Sequence, residues 1–229
     1  MNKICENIDS VRRNIESVKR QDVEIIAVTK TFPFENVLQA LECGIKHIGE
    51  SRIQEALPKF ERLGNSLNGI TKHFLGHLQS NKAKKAVENF DLIHSLDSLS
   101  LAKEISRHAR NAGKMQNCLI EVKVSKEETK TGIKPEDIRD FYSQCLEMPD
   151  ICIKGLMAIT PLSGNPEDSR PYFKQVYNLF TDIQKSFGKS DFIILSMGMS
   201  DDYKIAVEEG SNIVRIGSAI FGNRSYANA

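Results

Sequence analysis

The stretch Val23-Glu24-Ile25-Ile26-Ala27-Val28-Thr29-Lys30-Thr31 decides how the chain is read. Its first six residues form a short apolar run rich in β-branched side chains, which predicts a buried strand. The run ends on two threonines that bracket a lysine. Before it, Ile4, Ile8, Val11, Ile15 and Val18 recur in steps of four and three, the spacing of an amphipathic helix. After it, a helix is predicted over residues 35–43, closed by Gly44 in the position of a C-terminal cap.

The alternation continues along the chain. Further strands are predicted at residues 46–48, 73–75, 92–95, 118–124, 153–158, 192–195 and 212–216. Helices are predicted between them at 52–62, 81–90, 98–111, 135–147, 167–186 and 201–209, with a last short one from Ser218. Pro135 suits a first helical turn, where its missing N–H has no partner to lose. Strand followed by helix, repeated, gives an α/β chain with a mainly parallel sheet. Eight repeats in 229 residues predict a single (β/α)8 TIM barrel with an extra N-terminal helix, an open doubly wound sheet being the alternative. No composition break marks a linker, so residues 1–229 read as one domain.

Composition narrows the partners. Lys and Arg number 31 against 30 Asp and Glu, a formal charge of +1, without the basic excess that nucleic acid or membrane surfaces attract. Lys82-Ala83-Lys84-Lys85 reads as a solvated helix face. The five cysteines are scattered, with no CxxC pair and no histidine cluster, so neither a zinc site nor a disulfide framework is expected. The N-terminus lacks a signal-peptide core, and no apolar run reaches the roughly 18 residues of a membrane span. A cytoplasmic, soluble protein is expected.

In such barrels the functional groups gather at the C-terminal ends of the strands. Lys30 follows the first strand. A lysine there loses hydration, which favours the neutral amine that can condense with an aldehyde, although a lysine at a strand end can equally snorkel to solvent. Ser196-Met197-Gly198-Met199-Ser200 follows the seventh strand and Gly217-Ser218 the eighth. These are the loops between which barrels frequently bind phosphate, glycine giving the anion access to backbone N–H groups that serine hydroxyls supplement. Two ordinary capped turns would look the same. A lysine facing a phosphate site points to a ligand with both an aldehyde and a phosphate, as in pyridoxal 5′-phosphate (PLP). Arg215, at the end of the eighth strand, then lies near the ring nitrogen or in a structural ion pair. His73, His77 and His94 have no metal-ligand spacing, and no metal is expected. Asn81 is expected to cap the helix that follows it.

Several stretches together resemble the pyridoxal phosphate homeostasis protein family (YggS/PROSC type), whose members look like the barrel of alanine racemase without its second domain. They are residues 27–31, Gly49-Glu50-Ser51-Arg52-Ile53-Gln54-Glu55, residues 73–82, Lys130-Thr131-Gly132, residues 155–159, residues 195–202 and Val214-Arg215-Ile216-Gly217-Ser218-Ala219-Ile220-Phe221-Gly222. The resemblance implies a PLP fold-type III barrel. It implies that Lys30 carries PLP as a Schiff base, that Ser200, Gly217 and Ser218 hold the phosphate, and that Arg215 faces the pyridine nitrogen. The family usually has Asn where this chain has Ser51, and often Trp where it has Lys72.

The expected function is PLP binding and intracellular PLP homeostasis, with PLP and apo PLP-dependent enzymes as partners and a monomer as the working state. An amino-acid racemase of the same fold is the alternative, but racemases resembling this barrel add a tyrosine from a second domain for which the chain, ending at Ala229, leaves no room. Tyr226 is not expected to replace it, so no catalytic residue is assigned. A Schiff-base phosphosugar aldolase is a third reading.

Overall fold

Residues 2–19, 21–125, 131–188 and 190–222 are described by a computed structural model; Lys130 and Tyr226 lie outside them. The apolar runs form eight strands: β1 (Glu24–Val28), β2 (His47–Glu50), β3 (Thr71–Phe74), β4 (Leu92–Leu96), β5 (Gln116–Val122), β6 (Ile151–Ala158), β7 (Ile194–Ser196) and β8 (Ile213–Ile216). Each pairs in parallel with the next, and β8 returns to β1, with Ile26 opposite Arg215. The sheet is therefore closed, and the open alternative is excluded.

Helices α1 (Lys3–Glu16), α2 (Phe34–Glu42), α3 (Ile53–Leu63), α4 (Ala83–Asn89), α5 (Leu99–Asn111), α6 (Ile138–Leu146), α7 (Arg170–Phe187), α8 (Tyr203–Glu208) and α9 (Ser218–Phe221) complete the fold. The heptad-like spacing of α1 buries Ile4, Ile8, Val11 and Ile15 in one cluster with Ile25 and Ala27 of β1 and Val214 and Ile216 of β8. At about 1.5–3 kcal/mol per buried side chain, this stripe anchors the extra helix beside the two strands that carry Lys30 and Arg215. Asn7 adds a specific tie, donating to the Ile220 carbonyl of α9 at 2.8 Å. No described helix is long and apolar enough to cross a membrane.

Inside the barrel, Leu92, Leu119 and Met157 pack with Ile194. A Cβ on Gly49 would come within 2.4 Å of Leu75 Cδ1 and 2.8 Å of Ile26 Cγ2, so the lumen there is already filled. Gly155 is required by backbone proximity: its Cβ would fall 1.7 Å from the Ile194 carbonyl oxygen.

Three expectations are corrected. Cys5 and Cys43 form a disulfide, because α1 lies along the end of α2 and brings their Cα atoms to 5.4 Å; their distance in sequence concealed this. Asn81 does not cap a helix: Ser80–Lys82 is a 3-10 turn, and α4 starts at Ala83 without a side-chain cap. The run at 192–195 is also divided. Phe192 leaves the sheet to pack against Tyr142 and Phe180, and β7 begins only at Ile194.

Candidate functional site

The five residues singled out as a site, Lys30, Ser200, Arg215, Gly217 and Ser218, all line one cavity of about 450 Å³ at the C-terminal rim of the barrel. That is within the usual range for a small-molecule site. Ser51 lines it too, as do Met199 and Asp201, which the sequence reading did not assign.

Lys30 is half-buried just beyond β1. Its neighbours are fixed from below. The Thr29 hydroxyl donates to Glu50 Oε1 at 2.6 Å, and Lys59 Nζ donates to the Thr29 carbonyl at 2.8 Å. The same ammonium group reaches Glu50 Oε1 at 2.6 Å and Glu55 Oε1 at 3.3 Å. The Thr31 amide donates to Glu55 Oε1. Thr31 has φ +67°, left-handed backbone that costs a β-branched residue roughly 1–2 kcal/mol. Burial raises the Glu50 carboxyl above its usual range, opposed by the Lys59 charge and the Thr29 hydroxyl.

Arg215 projects into the lumen from β8 and is almost fully buried. It donates to the carbonyl and hydroxyl of Ser196 at 2.8 and 2.7 Å, and to the Ala158 carbonyl at 2.8 Å. These bonds hold the guanidinium across the ends of β6 and β7. Burial lowers its pKa to about 10, against the attraction of Asp202 and Glu121.

The two serine-glycine loops meet. Ser200 Oγ accepts from the amides of Gly217 and Ala219, each at 3.2 Å. Those N–H groups lie at the start of α9, so the hydroxyl of Ser200 joins the loop after β7 to the turn after β8. The loop after β7 is set by Asp202, which accepts from the Met199 amide at 2.7 Å and from the hydroxyls of Thr160 and Ser169, each at 3.0 Å. Asp202 thus ties the loop after β6 to the loop after β7.

The histidines take a role that spacing did not reveal. His47 Nδ1 lies 3.0 Å from His73 Nε2, and His73 Nδ1 lies 2.9 Å from His94 Nε2. The column starts beside Glu24, 3.4 Å from His47 Nε2. It ends at His94 Nδ1, which has no hydrogen-bond partner among the described residues. Burial pushes His73 down to about 3 and His94 far below the ordinary histidine value, with Arg215 contributing to the second shift. Burial lowers His47 as well, opposed by the charge of Glu24. His77 stands apart, 3.2 Å from Asp97.

The family model described as "Alanine racemase, N-terminal domain" matches residues 3–225. The pyridoxal phosphate homeostasis protein of Aquifex aeolicus (strain VF5) is 40% identical over 228 residues, covering 97% of this chain and 99% of that protein. The chain belongs to the pyridoxal phosphate homeostasis protein family. Among solved structures, PipY of Synechococcus elongatus PCC7942 with PLP bound superimposes with a TM-score of 0.87 at 37% identity, over 96% of this chain and 100% of that one. An alanine racemase of Clostridium difficile 630 shares the fold, with a TM-score of 0.70 at 17% identity over 98% of this chain and 58% of that one. The family resemblance read from the motifs and the alanine-racemase-like barrel are both confirmed.

Proposed function

We propose that this chain binds PLP and serves its intracellular homeostasis, holding the cofactor as a Schiff base on Lys30 and supplying it to apo-enzymes. The observation that carries the reading is the convergence of Lys30, Arg215 and the Ser200 and Gly217-Ser218 loops on one cavity. The residues suit the group. A primary amine answers the aldehyde, the Ser200 and Ser218 hydroxyls can donate to the phosphate beside the Gly217 backbone, whose amide is held on Ser200 Oγ at 3.2 Å, and the Arg215 guanidinium answers the pyridine nitrogen. A Cβ on Gly217 would approach nothing closer than 3.7 Å, so the backbone there is open to a close-lying anion. A 37% identical relative of the same fold has been solved with PLP bound, which supports PLP as the ligand.

PLP supplies an aldehyde and an electron-withdrawing ring. Arg215, as a donor that retains its proton, keeps the ring nitrogen unprotonated and so weakens that withdrawal, which suits storage better than carbanion chemistry. Racemisation requires acid/base groups on both faces of the substrate carbon. Among the described residues, the titratable side chain lining the cavity besides Lys30 and Arg215 is Asp201. We assign it no catalytic role. The proposed working state is a cytoplasmic monomer that uses neither metal nor nucleic acid.

Purified protein is expected to show an imine absorbance band after incubation with PLP, lost in Lys30→Ala. It should release PLP to a PLP-dependent apo-enzyme and leave L- and D-amino acids unracemised. A colourless protein that ignores PLP overturns the binding reading, and racemisation blocked by Asp201→Asn overturns the non-catalytic one.

A further inference from the structure

We propose that Lys59, Glu50 and Glu55 are positioning residues for Lys30, holding the backbone on both sides of it in the conformation that presents its amine to the cavity. The inference rests on the reading of Lys30 as the cofactor lysine and adds to it the device that aims the side chain.

The geometry is closed around residues 29–31. Lys59 Nζ has three donors and three acceptors: Thr29 O at 2.8 Å, Glu50 Oε1 at 2.6 Å and Glu55 Oε1 at 3.3 Å. Thr29 is pinned by its carbonyl, by its hydroxyl on Glu50, and by its amide on the Gly49 carbonyl at 2.9 Å. Thr31 is pinned by its amide on Glu55. Lys30 itself therefore sits between two anchored residues, and its backbone freedom is removed without any of the three positioning side chains lining the cavity.

Two features argue against a merely structural ion pair. A strand that only had to end could do so without a left-handed threonine, yet Thr31 has φ +67° and is held there by a carboxylate. Strained backbone of this kind persists where its surroundings over-determine it, and it concentrates at functional sites. Glu50 is also fully buried with Oε2 lacking a partner among the described residues, an arrangement that stability alone disfavours. The cluster spans three elements, the end of β1, the end of β2 and the first two turns of α3, so it fixes Lys30 relative to the barrel wall and not merely to its own strand.

The test compares Glu55→Ala, which frees the Thr31 amide, with Glu55→Gln, which retains an acceptor there. Thr29→Val removes the hydroxyl contact without disturbing the ion pair. Three readouts are taken: thermal melting, the rate of imine formation with added PLP, and, in cofactor-free protein, the rate at which trinitrobenzenesulfonate labels Lys30, followed by peptide mass. Misplacement of a reacting group by about an ångström can cost 100-fold in rate, so a slowing of about tenfold or more is expected in Glu55→Ala and Thr29→Val. Glu55→Gln is expected to stay within about threefold of the parent, less than half of that tenfold effect on a logarithmic scale. All variants should melt cooperatively.

Parent-like imine formation and labelling in Glu55→Ala and Thr29→Val would overturn the inference, as would Glu55→Gln behaving like Glu55→Ala. If Glu55→Ala does not fold, the comparison of Thr29→Val with Thr29→Ser decides by the same criteria. A parent protein that forms no imine at Lys30 would instead sink the cofactor reading, and the labelling of cofactor-free protein would still report whether Glu55 and the Thr29–Glu50 contact aim the lysine.

Discussion

Arg215 grips Ser196 twice, donating to its carbonyl at 2.8 Å and to its hydroxyl at 2.7 Å. Both residues are buried, so neither partner has water as a substitute. The guanidinium is thereby fixed within the wall of the cavity before any ligand arrives, and its orientation depends on the last residue of β7.

Ser196→Ala removes one of these bonds and leaves both carbonyl acceptors served. We expect a loss of about 1–2 kcal/mol in urea unfolding and weaker PLP retention. Arg215→Met strips donors from the Ser196 hydroxyl and from two buried carbonyls, so its loss should be at least twice as large. Equal losses in the two variants would mean that the guanidinium is not held as described.

The loop after β7 turns at Gly198, where φ is +88° and a Cβ would lie 2.6 Å from Ala206 Cβ and 2.8 Å from Tyr203 Cα. Gly198→Ala must therefore strain the backbone and displace α8. A destabilisation of about 1–3 kcal/mol is expected, with PLP retention falling because Met199 and Ser200 follow directly. The comparison that isolates the site effect is Gly113→Ala, which also has positive φ but an open Cβ direction far from the cavity. It should lose about 1–2 kcal/mol from its backbone alone and leave PLP retention unchanged.

The candidate site was legible in the sequence where the residues that line its cavity lie in contiguous loops. Lys30 after an apolar run, and Gly217-Ser218 before a short helix, carry their own local signals. The barrel was legible because parallel strands buried on both faces read as apolar runs. What escaped was built by barrel closure. His73 stands opposite Gly49, not His47, and Leu92, not His94, stands opposite His73. The histidines meet only because each step across the tilted strands advances two residues, a stagger that no spacing rule applied along one strand contains. The Lys59 cluster and the Cys5–Cys43 pair escaped for the same reason, since each joins elements through tertiary packing. Asp201 and Met199 were visible as neighbours of Ser200, but only the curvature of their loop turns them to the cavity.

The Cys5–Cys43 bridge closes a separation of 38 residues and ties α1 to α2. Closing a loop of that length stabilises by up to about 4 kcal/mol through the unfolded chain. Dithiothreitol should lower the melting temperature of the parent and have no effect on Cys5→Ser, which should already melt at the reduced value. Cys118, Cys145 and the half-buried Cys152 are free thiols whose pKa burial raises, Cys145 up to about 12, so the response should belong to the bridge. A parent insensitive to reductant, with free thiols titrated at residues 5 and 43, would count against it.

The histidine column makes folding stability depend on mild acid. In the unfolded chain a histidine takes up its proton near pH 6.5, whereas burial holds His73 down to about 3 in the folded protein and His94 lower than its ordinary value. The unfolded state therefore binds more protons as pH falls, and stability is lost from about pH 6.5 down towards the folded value. Between pH 7.5 and 5 His73 should remove about 2 kcal/mol, and His94 acts in the same sense. Glu50 and Glu121 act in the opposite sense: burial raises both, so they gain protons in the folded state first and partly offset the loss as pH falls through their raised values. Urea unfolding at a series of pH values should thus show a net decline over this interval. Ring signals of His73 and His94 should remain those of neutral imidazole at pH 5. A stability curve flat across that range, or titration of the buried rings above pH 5, would show that the column is more hydrated than its packing indicates.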